Sequence, residues 1–153
     1  MFTTQIIFLA LTAIIPALWH VSRTAKNERL DRIICRILAG TLLAVYAGDL
    51  AVKIADGEDL LARILPMQLC DWALLSVSGA LLFRSQLCFD LAYFWGLGGT
   101  LQALFTPDID STLPWWRIAG FFIIHAGIII GVLHKMLALH YRPWPRSLLR
   151  AII

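Results

Sequence analysis

The sequence predicts an all-α, polytopic transmembrane bundle of five helices with the start of a sixth, and three observations carry that expectation. Hydrophobic residues fill 59% and charged residues 15% of the 153 positions, and the mean hydropathy is +0.77, outside the composition of soluble domains. The apolar residues gather into segments at about 5–19, 33–54, 65–83, 87–105 and 115–137, separated by short polar connectors, and a bilayer core asks for roughly 20 residues per helix. Basic and acidic residues also alternate between successive connectors, which is how a multi-pass chain records its sidedness. The chain from 1 to 153 therefore reads as a single integral membrane domain.

The first segment, 5–19, lacks the positive amino-terminal region of a secretory signal, and its basic residues follow it. An uncleaved helix with the amino terminus outside is expected. Arg23, Lys26, Arg29, Arg32 and Arg36 then lie on the cytoplasmic side, as do Arg84 in the third connector and Lys135, Arg142, Arg146 and Arg150 after the fifth segment. The second connector runs Ala55-Asp56-Gly57-Glu58-Asp59 and the fourth holds Asp108 and Asp110, so both face out. The net charge of +3 describes this topology. No basic face interleaved with aromatics accompanies it, so nucleic acid is not an expected partner. From about Pro145 the pattern of a sixth helix begins. A bundle lacking that wall needs another subunit, in a homo-oligomer, or a separate sixth helix to cover it. A multi-pass protein of the plasma membrane, with membrane lipids as its partners, is the expectation.

Three cysteines, Cys35, Cys70 and Cys88, have neither the count nor the spacing of a disulfide framework or a zinc site. No metal and no cofactor are expected, since phosphate-binding loops and dinucleotide fingerprints are also missing from the sequence. Chemistry must come from polar residues inside the helices. Asp49 is the first of these, and Lys53 four residues on offers it an intrahelical ion pair. In Leu65-Pro-Met-Gln-Leu-Cys-Asp-Trp72, Pro66 suits a helix start. On a regular helix from there, Gln68, Asp71, Trp72, Leu75 and Gly79 share a face, and Cys70 points away with Leu74 and Val77. Gln68 and Asp71 are then site candidates, and Cys70 is either a small hydrophobe or a nucleophile.

The run Tyr93-Phe-Trp-Gly-Leu-Gly-Gly-Thr-Leu-Gln-Ala-Leu-Phe-Thr-Pro-Asp108 puts Ala92, Gly96, Gly99, Ala103 and Thr106 on one stripe of small side chains, bordered by Gln102. A carboxamide there needs a partner on another helix, which makes this segment the expected hub. Gln102 either orients a substrate or holds helices together. His125 lies in the middle of the fifth segment and is the natural proton carrier of the chain. Gly120, Gly127 and Gly131 fall nearly opposite it, so this helix needs either neighbours on both sides or a second contact to another subunit. Measured along helices at about 1.5 Å per residue, Asp49, Gln68, Asp71, Gln102 and His125 occupy the outer half of the bilayer. Such a layer is what an intramembrane polar pocket requires.

Leu65-Pro-Met-Gln-Leu-Cys-Asp71, the run from Tyr93 to Asp108, and Phe121-Phe-Ile-Ile-His-Ala-Gly-Ile128 together resemble the YwaF family of bacterial multi-pass membrane proteins, over nearly the whole chain. That family is similar to transmembrane protein 164, a eukaryotic acyltransferase acting on ether phospholipids. The resemblance implies a fatty-acyl transferase or lipid ester hydrolase in which His125 matches the family histidine. Gln68 stands where the family commonly has histidine, and the eukaryotic cysteine corresponds to Cys70 or, in a shifted register, to Met67. On this reading His125, Cys70 and Asp71 are catalytic, and Gln68, Gln102 and Asp49 bind or orient the substrate. The alternative from another class is a non-catalytic membrane protein, either a lipid or small-molecule binder or a structural subunit, whose polar residues only hold helices together.

Overall fold

The computed structural model describes residues 28–57, 68–107, 109, 113–144 and 147. The expected first helix, the residues before Gln68 in the third segment and most of the expected sixth helix lie outside them. Among the described residues the chain is entirely helical between its turns. Helix α1 spans Glu28–Ala55 and α2 spans Leu69–Phe83. Helix α3, Gln86–Trp95, runs through a π-helical stretch, Gly96–Thr100, into α4, Leu101–Phe105, and α5 spans Trp115–Leu137. By length and apolar composition, α1 and α5 are each able to cross a membrane.

Helix α1 begins a turn before its apolar segment because its first turn is acidic, with Glu28 and Asp31 at the positive end of the helix dipole. Arg32 reaches back 3.4 Å to Glu28, an i,i+4 pair that supports the same turn. Helix α2 begins later than expected. Gln68 is extended (φ −90°, ψ 141°) and occupies its N-cap, so the helix starts at Leu69; Pro66, expected at its start, lies outside the described residues. The α2–α3 link is only Arg84 and Ser85. Arg84 closes α2 in the left-handed conformation (φ 54°, ψ 28°), and the Ser85 hydroxyl accepts the Cys88 N–H at 3.4 Å to start α3. Ser85→Ala is expected to lower unfolding stability by about 0.5–1 kcal/mol, measured by thermal unfolding in detergent.

Helix α2 is the hub, in place of the expected fourth segment. It touches α1, α3, the π stretch and α5, whereas α1 and α3 do not touch each other. Its inward side chains Ala73, Leu74, Val77 and Ala80 are fully buried against Ala39 and Leu42 of α1, Phe89 and Ala92 of α3, and Ile128 and Val132 of α5. Lipid tails are as apolar as these residues, so what holds the helices is close packing. A Cβ at Gly127 would lie 2.7 Å from Leu42 Cδ2, one at Gly131 would lie 2.7 Å from Val77 Cγ2, and one at Gly96 would lie 2.9 Å from Ile128 Cγ2. Thus α5 presents its glycines to α1 and α2, with the π stretch packed on another side, which meets the expectation of neighbours on more than one face.

The π stretch changes the face of the fourth segment. A π turn carries one residue more than the α-helical ladder, so side chains beyond it lag by about 100°. The buried residues follow a spacing of four: Ala92, Gly96, Thr100 and Leu104. The expected stripe through Gly99, Ala103 and Thr106 assumed a regular helix. Gly99 and Ala103 are only half-buried, and Thr106 and Gln102 are exposed.

Candidate functional site

Where α1 ends and α2 and α5 begin, polar side chains from all three helices gather. Asp49, on the last turns of α1, has Oδ2 2.8 Å from Lys53 Nζ and Oδ1 3.5 Å from Arg117 Nε of α5. The pair with Lys53 forms as its spacing predicts, and Arg117 makes it a tie between helices. Tyr46, one turn earlier on α1, lies within electrostatic reach of both Asp49 and Asp71.

Asp71 is half-buried in the first turn of α2, where its carboxylate meets the positive end of the helix dipole. Lys53, Asp49 and His125 are the charged and titratable groups that act on it.

His125 is buried, with 7% of its surface exposed. Its Nδ1 lies 2.7 Å from the Phe121 carbonyl oxygen one turn back, and its ring stacks on Phe121 at 4.0 Å between centroids. A carbonyl only accepts, so Nδ1 is the donor, and in the neutral ring Nε2 keeps its lone pair. Asp71 is the carboxylate that acts on His125. Locked by a hydrogen bond and a stacked ring, with Nε2 able to take a proton, His125 has the form of a general base.

Cys70 is half-buried on the side of α2 that carries Leu74 and Val77, and those two residues are fully buried. The cysteine side of α2 therefore turns toward the bundle. The opposite side, with Trp72 and Leu75 exposed, is the more open one. The thiol interacts with Thr100 of the π stretch, whose hydroxyl is fully buried and lacks hydrogen-bond geometry to any described partner. No hydrogen bond joins Cys70 to His125. Asp71 thus lies within electrostatic range of both Asp49 and His125, the Cys70 thiol interacts with Thr100, and Gln68 and Gln102 are exposed. The Gln102 carbonyl accepts the Thr106 N–H and hydroxyl, both at 3.0 Å, which caps the helix end.

Three residues join this region beyond those expected. Tyr46 sits three positions before Asp49, on the same helical face, and that spacing signals it. Arg117 sits in the first turn of α5, where residue type alone suggests a solvated charge. Thr100 is turned inward by the π stretch, for which no sequence periodicity gives a signal.

Two long apolar helices packed through glycines, with a buried histidine and a cross-helix ion pair, suit a helical integral membrane protein. Trp115 and Trp116 are exposed at the start of α5, with Arg117 5.8 Å from the Trp116 ring centroid, the arrangement of an aromatic belt at a membrane interface. The chain belongs to the TMEM164 family, whose model matches residues 1–153. No curated protein and no solved structure matches it.

Proposed function

We propose that this protein is a multi-pass enzyme of the plasma membrane that transfers or hydrolyses fatty-acyl esters of membrane lipids, as its YwaF-like motifs imply. The amino terminus lies outside and the polar cluster faces the outer leaflet. The observation that carries the reading is His125, buried in an apolar helix with Nδ1 engaged and Nε2 able to act as a base beside Asp71.

In the reaction, His125 Nε2 takes the proton of an attacking hydroxyl, and the oxygen adds to the ester carbonyl. The bond to the lipid alcohol then breaks, and the imidazolium returns the proton to the departing alkoxide. Water as the attacking group gives a free fatty acid, and a lipid hydroxyl gives a transferred acyl chain. Asp71 stabilises the imidazolium, and Lys53 and Arg117 hold Asp49 in place. Cys70 lies by Thr100 and apart from His125 hydrogen bonding, which favours direct attack by oxygen over a thioester intermediate.

The test is a purified full chain in vesicles containing phospholipid with labelled acyl chains. Label appearing as free fatty acid supports hydrolysis, and label moving to a second lipid supports transfer. With neither, the non-catalytic binder or structural subunit becomes the better reading.

A further inference from the structure

At the end of the bundle away from His125, a second polar region has no role in that chemistry. Arg32 and Arg36, one turn apart on α1, and Arg84 at the end of α2 frame a recess of 290 Å³ whose other walls are Cys35, Leu81, Leu82 and Phe83. Lys135 of α5 lies within electrostatic range of two residues of its lining, Cys35 and Arg84. This lysine is fully buried, and its Nζ has no hydrogen-bond partner among the described residues. The Tyr141 ring, 4.4 Å from Nζ, is its visible compensation.

The carboxylates nearby do not neutralise the group. Glu28 pairs with Arg32 on the exposed surface, and Asp31 acts on Cys35 and His134. No described carboxylate forms an ion pair with Arg36, Arg84 or Lys135. A preference for basic residues on one side of a membrane accounts for arginines in water. It does not account for a fully buried lysine whose Nζ has no hydrogen-bond partner among the described residues.

Arg84 adds a second, independent sign. It holds φ 54° at a helix C-terminus, where glycine is the unstrained residue. The Tyr141 hydroxyl fixes it there by donating to the Arg84 carbonyl at 2.9 Å. Tyr141 thus braces both the strained arginine and the buried lysine. Arg84 is thereby held in a fixed backbone conformation on the lining of the recess.

We propose that this recess binds a phosphate-bearing anion, the headgroup of an anionic membrane lipid. Arginines converging from two helices match the several acceptor oxygens of a phosphate. Leu82 and Phe83, 41% and 79% exposed beside it, offer an apolar rail for the acyl chains. Lys135 adds a buried positive charge that acts on Arg84. The site is separate from the His125 cluster, and it stands or falls independently of the acyl-transfer reading.

The test uses the full chain in phosphatidylcholine nanodiscs, titrated with dansyl-labelled phosphatidic acid and read by energy transfer from the tryptophans. Wild type is expected to bind saturably. Arg36→Gln and Arg84→Gly should each weaken binding about tenfold or more. Arg142→Gln removes the same charge from a side chain outside the recess and should leave binding unchanged. Because glycine relieves φ 54°, Arg84→Gly should unfold no earlier than wild type, so its loss of binding is not a loss of fold. No saturable binding in wild type, or equal weakening in all three variants, overturns the proposal. Competition by millimolar glycerol 3-phosphate would assign the site to a soluble phosphate ester as well; its failure to compete would assign the lipid alone. Either result keeps the anion site.

Discussion

Alanine in place of His125 is expected to lower acyl-ester turnover by about 10²–10⁴-fold, the usual contribution of a positioned general base. The fold should survive the change. Among the described residues His125 donates to the Phe121 carbonyl of its own helix and stacks on the Phe121 ring, so removing it breaks no cross-helix hydrogen bond there. Cys70→Ala, measured beside it, is expected to keep turnover within about tenfold, since the thiol faces Thr100 and makes no hydrogen bond to the base. Equal loss in both variants would replace oxygen attack by a thioester route in which Cys70 is the nucleophile. Unchanged turnover in His125→Ala, with matched amounts of folded protein, would remove the base from the mechanism altogether.

Leucine in place of Gly131 is expected to lower unfolding stability by about 1–3 kcal/mol or more, the range for forcing extra volume into a packed site. A first carbon there already stands 2.7 Å from Val77 Cγ2 and 3.3 Å from Leu81 Cδ1. Since α2 touches every long helix, a side chain wedged between it and α5 disturbs the hub itself. Val77→Ala in the same chain should recover part of the loss by vacating the space. Gly40→Ala is the matched control, because nothing lies within 4 Å of its Cβ position, and its stability should be unchanged or slightly raised by better helix propensity. Thermal unfolding of all four proteins in one detergent decides the matter. If Gly131→Leu unfolds with wild type, the α2–α5 contact is looser than described.

Much of this architecture is legible in the chain, and the departures have physical causes. The α5 segment, 115–137, follows from an unbroken apolar run that Pro114 precedes, and chemistry and helical spacing agree there. Hydropathy starts the second segment where lipid would begin, at 33. Backbone hydrogen bonding has no such boundary and continues to Glu28, helped by the acidic first turn. At α2 the reverse holds, since Gln68 adopts an extended N-cap and shortens the helix. Asp49 is readable as a residue that needs partners, because charged residues inside apolar helices demand them, and Lys53 and Arg117 supply them. Which side of α2 faces inward is harder to read, because that helix has buried side chains nearly all round. Gln102 is misplaced by helical periodicity for one reason, the added residue within Gly96–Thr100.

That added residue also gives the segment a mechanical freedom that a regular helix lacks. A surplus residue need not stay where it is: passing the widened turn along by one hydrogen bond at a time rotates the stretch it crosses, without breaking the rod. Gly98 has nothing within 4 Å of its Cβ position, whereas Ile128 crowds Gly96 and Leu69 crowds Gly99, so such a passage is open at one glycine and gated by packing at two. Were the wide turn to travel toward Phe105, Gly99, Ala103 and Gln102 would swing toward the core and Thr100 would turn away from the thiol. One stretch of chain thereby carries two alternative inner surfaces, and the choice between them is a screw motion about a single axis.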